Sequence, residues 1–210
     1  MIAWHWLGRI NYGWALRRQL AWRDAVLAGS ADGAVLLCEH PPVITLGRSA
    51  TTANVLASDA ELTAAQISVE RIERGGDVTY HGPGQLMVYP IVRVRSVVGL
   101  LETVAATLIA CLRDWGIAAE WRREPAGVWV GNAKIAACGI HVAHGVVTHG
   151  FALNLATPGA AWQRIRPCGL ATPVVSVADL LGAERAVPTV TEAAIAVGPR
   201  LVAGLPTIVR

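Results

Sequence analysis

Lysine is almost missing from this 210-residue chain: 17 arginines stand against a single lysine, Lys134. Two readings of that lysine stay open on composition alone. It is a chance survivor of a drift toward arginine, or it does something a guanidinium cannot, since only the amine loses its proton at workable pH. Charge of either sign is scarce, 16% of residues against 53% hydrophobic, which excludes a disordered chain. No basic run with interleaved aromatics exists; Arg17-Arg18 and Arg122-Arg123 are the densest pairs. Nucleic-acid binding is therefore not expected, whereas a net charge of +3 suits an acidic protein partner. Residues 135–163 lack Asp, Glu, Lys and Arg, but His141, His144, His149, Asn154 and Pro158 interrupt them, so no membrane span is expected. The N-terminus carries Trp4, His5, Trp6 and Arg9 and no apolar leader, so a soluble, cytoplasmic chain is the expectation. Cysteine pairs are absent too. Cys38, Cys111, Cys138 and Cys168 show no CxxC spacing, which argues against a zinc site or a disulfide framework and for reduced thiols.

What is present reads as one domain over residues 1–210, with no repeat or long linker. Residues 12–28 form a helical pattern with Leu16, Leu20, Val26 and Leu27 on one side, closed by Gly29. Residues 34–38, 43–46, 68–72 and 85–92 read as strands. Residues 97–115 are the clearest helix, its apolar face made by Val97, Leu100, Leu101, Val104, Leu108 and Leu112. A meander of strands over 127–130, 133–142 and 146–155 follows, with turns at Gly131-Asn132 and His144-Gly145. Short helices over 176–181 and 191–203 complete the chain, the second containing Pro199, where it can bend. Hairpins beside isolated helices predict an α+β (mixed α/β) fold, a mixed and largely antiparallel sheet flanked by helices.

Three segments carry chemistry. The first, residues 74–85, holds four glycines among Arg74, Gly75, Gly76, Asp77, Val78, Thr79, Tyr80, His81 and Gln85. Its ends are fixed by strands, and its glycines allow close backbone approach to a ligand. It is neither a P-loop nor a dinucleotide fingerprint, because no Gly-Lys-Ser/Thr follows and no helix opens after it. The second places Lys134 in an apolar strand with Ala137, Cys138 and Gly139. Burial lowers a lysine's pKa, which would let Lys134 accept a proton. The third, Pro167-Cys168-Gly169, puts a cysteine on a tight turn, either as an inert thiol or as a thiolate helped by a nearby ammonium. Among the histidines, His141 and His144 read as surface residues, and no carboxylate or cysteine joins them at metal-ligand spacing. His149 stands beside Gly150, Phe151, Ala152 and, further on, Asn154.

With these segments, and with residues 39–48 (Glu-His-Pro-Pro-Val-Ile-Thr-Leu-Gly-Arg) and Ser176-Val177-Ala178-Asp179-Leu180, the chain resembles the lipoyl (octanoyl) transferase family from about Leu7 to Leu181. Cys138 departs from the resemblance at a position expected to be apolar or small, and nothing after Gly182 carries a motif. The resemblance implies the fold of the biotin and lipoate protein ligase catalytic domains. It implies transfer of an octanoyl group from acyl carrier protein to a lysine of apo lipoyl domains, those of 2-oxoacid dehydrogenase complexes and of the glycine cleavage protein. It implies Cys168 and Lys134 as a catalytic dyad and no cofactor or metal. Substrate would be held by the glycine-rich segment from Arg74 to His81, by Ala137, Cys138 and Gly139, and by Gly150, Phe151 and Ala152, with His149, Gln85 and Asn154 in support. A thioester relay through Cys168 suits transfer between two carriers without ATP. The competing readings are an ATP-dependent lipoate ligase on the same fold, a non-catalytic module holding a lipoyl domain or acyl chain, and a Cys–His hydrolase using His81 or His149.

Overall fold

The computed structural model describes residues 1–166 and 173–205. Strand β1 (Ala3–Arg9) leads to helix α1 (Tyr12–Leu27), which Asn11 caps by accepting the Trp14 N–H. Strands β2 (Gly33–Glu39) and β3 (Val43–Leu46) follow, separated by Pro41-Pro42. Helix α2 (Asp59–Ala64) starts with a Ser58–Glu61 capping box and leads to β4 (Ser68–Arg71). Then come β5 (Val78–His81), β6 (Gln85–Val92) and helix α3 (Val97–Asp114). The meander is β7 (Glu120–Arg123), β8 (Ala126–Val130), β9 (Ala133–Ala143) and β10 (Val146–Asn154). Helices α4 (Gly159–Trp162), α5 (Val177–Leu181) and α6 (Val190–Gly204) end the described chain.

Among the described residues, the strands form a seven-stranded sheet in the order β1-β2-β6-β10-β9-β8-β7 and a three-stranded sheet in the order β4-β3-β5. Only β1–β2 and β3–β4 pair in parallel, so the expected mixed, largely antiparallel sheet is the one found. One face of the large sheet packs on α3 and α6 through Val88, Leu100, Leu108, Ile135, Phe151 and Leu201. Helix α1 covers the other face at Leu36, Met87 and Tyr89. The small sheet has its own core around Ile44, Tyr80 and Ile165.

Several elements differ from the sequence reading. Strand β5 lies inside the segment expected to be a glycine-rich loop, because Val78 to His81 find their partner in β3, more than thirty residues upstream. Strands β1 and β7 and helix α2 were not apparent, since tertiary pairing rather than local periodicity selects them. The buried side of α1 is Tyr12, Ala15, Gln19 and Val26, while Leu16 and Leu20 are only half-buried. Val97 does not belong to the buried side of α3; it is exposed. Helix α6 runs through Pro199.

In the centre of the large sheet, Gly150 pairs with Gly139. A Cβ on Gly150 would collide with the Val88 carbonyl and come within 2.9 Å of the Pro90 ring. Both neighbours are fixed in β6, so the collision cannot be relaxed by one rotamer change. Gly150→Ala is expected to destabilise the fold by about 3 kcal/mol, read as a lower urea midpoint at unchanged m.

Candidate active site

The two sheets leave a cavity of about 280 Å³ between β9–β10 and the segment from Arg74 to His81. Its open end is formed by Pro125, Ala126, Lys134 and Gly76, all exposed or half-buried. Its blind end is formed by the buried Tyr12, His81, Met87, Tyr89 and His149.

Lys134 starts on β9, but its side chain folds back along the sheet. Its Nζ donates to the Ala126 carbonyl at 3.1 Å and lies 5.0 Å from the centre of the Trp129 ring. Gly127 makes this path possible: a Cβ there would stand 3.0 Å from Lys134 Cε and 2.8 Å from the Ala136 carbonyl. The lysine backbone also anchors the chain after the cysteine segment. Lys134 N–H donates to Pro173 O at 2.8 Å, and Val175 N–H donates to Lys134 O at 3.1 Å.

Cys168 itself lies outside the described residues. Both chain ends that flank its segment are tied to the site. Upstream, the Arg166 N–H donates to Asn54 O at 2.8 Å, and the Asn54 side-chain amide donates to Asp77 in the cavity wall. Downstream, Asn154 Nδ2 donates to Val175 O at 3.3 Å.

The roof is held by buried Arg74. Its guanidinium donates to the Thr45 carbonyl at 2.7 Å, to the Thr45 hydroxyl at 2.9 Å and to Gly75 O at 3.0 Å. The Gly75 N–H donates across to Ile140 O at 2.9 Å, fastening the roof to β9. Thr45, accepting from Arg74, directs its hydroxyl toward His81 Nε2 at 3.4 Å. His81 Nδ1–H donates to Gln85 Oε1 at 2.7 Å, and Gln85 Nε2 donates to Asn154 Oδ1 at 2.8 Å.

At the blind end, His40 Nδ1 lies 2.7 Å from the Ile10 carbonyl, so that nitrogen carries the proton and Nε2 accepts from the Tyr89 hydroxyl at 2.9 Å. His149 is held three ways. Its N–H donates to Gln19 Oε1 at 2.7 Å, its Nδ1 lies 3.1 Å from the Tyr12 hydroxyl, and its φ is +60°. A left-handed residue inside a strand is strained and persists only when its surroundings impose it.

Burial acts on every titratable group here. Desolvation lowers the imidazoles of His40 to about 4, His81 to about 3 and His149 to about 4; Arg74 adds to the last two. It raises the hydroxyls of Tyr12 and Tyr89. It also raises the thiols: Cys138 on the cavity wall is pushed up to about 12 despite the nearby Lys134 charge, and Cys38 and Cys111 rise too. The three described cysteines are therefore neutral thiols at pH 7. The neutral histidines give a stability prediction. Unfolded, each titrates near 6.5; folded, near 3 to 4. Between those values the unfolded chain binds more protons, so stability falls as pH falls from 6.5. The slope is up to about 1.4 kcal/mol per pH unit for each histidine. Urea titrations at pH 7.5, 6 and 5 are expected to show a falling midpoint, with no contribution from these groups above pH 7.5.

The cavity brings together Lys134, Arg74, Gly75, Gly76, Asp77, Val78, Thr79, His81, Ala137, Cys138, Gly139, His149, Gly150, Phe151 and Ala152. Tyr80 is not on this wall: alternation along β5 turns it to the other side, where it meets Trp162 edge-on at 5.8 Å. Gln85 and Asn154 stand behind the wall and join it through the hydrogen bonds above. His144 is exposed and His141 half-buried, and no group of three metal-ligating side chains occurs among the described residues. Tyr12, Gln19 and Met87 were not singled out in the sequence, and His40, Thr45 and Tyr89 belonged to runs that carry the resemblance but were given no role in the site. Polar Tyr12 and Gln19 seven residues apart on a helix were the available signal, because that spacing places both on one face.

Fold and site together define a catalytic domain of the lipoyl protein ligase A/B class, and the family profile of that description matches residues 10–197. An octanoyltransferase of Solibacter usitatus is 46% identical over 178 residues, covering 83% of this chain and 81% of the relative. The chain belongs to the octanoyltransferase family. Its fold is shared with distant solved structures. Plasmodium falciparum LipL1 in complex with lipoate superposes with a TM-score of 0.75 at 12% identity, over 99% of this chain and 63% of that one. A biotin protein ligase from Aquifex aeolicus with biotin and ATP superposes at 0.56 and 12% identity, over 98% and 71%. No helix among the described residues is long and apolar enough to cross a membrane.

Proposed function

We propose that this chain, acting as one catalytic domain over residues 1–210, moves an octanoyl group from acyl carrier protein to one lysine of apo lipoyl domains through a thioester on Cys168. The acceptors are the lipoyl domains of 2-oxoacid dehydrogenase complexes and the glycine cleavage protein. The observation that carries the reading is the Lys134 amine at the open end of a cavity that runs inward along β9 and β10.

Cys168 attacks the carrier thioester; the carrier's C–S bond breaks as the new one forms, and the carrier thiol leaves with a proton. Lys134 as an ammonium favours the thiolate. The acceptor amine then attacks the acyl carbonyl, Lys134 takes its proton, and an amide replaces the thioester. Backbone N–H groups around Gly76, Gly139 and Gly150 are the donors available to the acyl group. The neutral thiols of the other three cysteines support Cys168 as nucleophile. The low basicity of His81 and His149 weighs against a Cys–His hydrolase.

The test is a transfer assay with octanoyl carrier protein and an apo lipoyl domain, with and without ATP. Equal, complete acylation in both supports the reading. Acylation that requires ATP would assign a ligase instead. A non-catalytic module would leave the lipoyl domain unmodified in both.

A further inference from the structure

The blind end of the cavity is polar, which an octanoyl methyl terminus does not require. Its hydrogen-bonding capacity can be counted. The Tyr89 hydroxyl donates to His40, and His81 spends its N–H on Gln85. The Tyr12 hydroxyl is buried, and among the described residues His149 Nδ1 is its only hydrogen-bond partner; the hydroxyl is assigned as the donor, because the other direction would leave a buried O–H without an acceptor. A neutral imidazole that accepts at Nδ1 carries its proton on Nε2. His149 Nε2 has no hydrogen bond among the described residues, and His149 lines the cavity. One N–H donor of a residue that lines the ligand space is thus left unspent. The residue is 3% exposed, and the Tyr12 contact, the Gln19 contact and a left-handed backbone hold it in place.

The spacing suits the far end of a medium-length chain. The Lys134 amine touches Ala126, which precedes Gly127 and so lies opposite Cys138 in the antiparallel register. His149 pairs with Ile140, two residues further along β9, which is about 7 Å along the strands and about 10 Å across from β8 to β10. An extended acyl chain with its carbonyl near Lys134 therefore ends against His149.

Resting on the acyltransferase reading above, we propose a further substrate class: medium-chain acyl groups bearing an oxygen on the terminal carbon, which His149 Nε2–H recognises. The bonds made and broken are unchanged. The carrier's C–S bond gives a Cys168 thioester and then an amide, and the terminal oxygen does not react. A terminal hydroxyl accepts from His149 and gives the buried N–H the partner it lacks.

The test uses three carrier thioesters, octanoyl, 8-hydroxyoctanoyl and nonanoyl, the last being the methyl isostere of the hydroxyl compound. The full chain should transfer 8-hydroxyoctanoyl with a kcat/KM within about tenfold of octanoyl. The 8-hydroxyoctanoyl to nonanoyl ratio should fall about tenfold in His149→Phe, the scale of one buried hydrogen bond. Tyr12→Phe, which keeps the ring but releases the His149 tautomer, should lower the same ratio about threefold and decides the matter if His149→Phe does not fold. An unchanged ratio in the folded variants, or no 8-hydroxyoctanoyl transfer where octanoyl is transferred, overturns the proposal. Failure of octanoyl transfer by the unmodified chain overturns the underlying reading instead.

Discussion

Cys168→Ala is expected to lower octanoyl transfer by about 10⁴-fold or more, because a covalent relay without its nucleophile has only binding left to offer. Intact-mass measurement after incubation with octanoyl carrier protein should show a hydroxylamine-labile octanoyl adduct on the unmodified chain and none on the variant. Cys138→Ala should retain the adduct, since its thiol is held neutral by burial. An adduct that persists in Cys168→Ala, or transfer at the original rate, would remove the thioester from the mechanism.

Lys134→Arg is expected to reduce transfer by about 10²- to 10⁴-fold, the range that general acid–base catalysis supplies. The substitution keeps the positive charge and removes the group that can take up a proton. Geometry adds to the loss. The lysine stem runs against Gly127, where even a Cβ would stand 3.0 Å from Cε, and its amine ends on the Ala126 carbonyl. A planar guanidinium is wider than that path. Single-turnover measurements should separate the two half-reactions, with aminolysis of the Cys168 thioester affected more than its formation. Full retained transfer would dismiss Lys134 as the base. Gly127→Ala provides the complementary test: it leaves the amine in place chemically but crowds its stem, and it should lower kcat while the carrier-protein KM changes little.

The legible parts of the site were those in which chemistry is concentrated in sequence. Arg74 to His81, Lys134 with Cys138 and Gly139, and Gly150 with Phe151 stand out as short runs, and all except Tyr80 line one cavity. The helix over 97–115 was legible from period and stop signal, and the helix over 12–28 in its extent but not in the face it buries. The parts that were not legible depend on partners distant in the chain. Strand β5 exists because β3 accepts its edge, and β1 because β2 does. Tyr12 and Gln19 look like ordinary helix residues until α1 is laid on β10.

By itself, the sequence determined the chemical inventory: one lysine among arginines, a cysteine between a proline and a glycine, and four glycines within residues 74–85. Those are covalent facts that no packing changes. Tertiary structure alone decided which polar groups are spent and which are left to act. The Tyr12 hydroxyl meets His149 across 137 residues of chain, the Ile10 carbonyl fixes the proton position on His40, and Gly127 opens the path of the Lys134 stem. The physical reason is that a hydrogen bond is a pairing of two groups, and only the folded chain says which two.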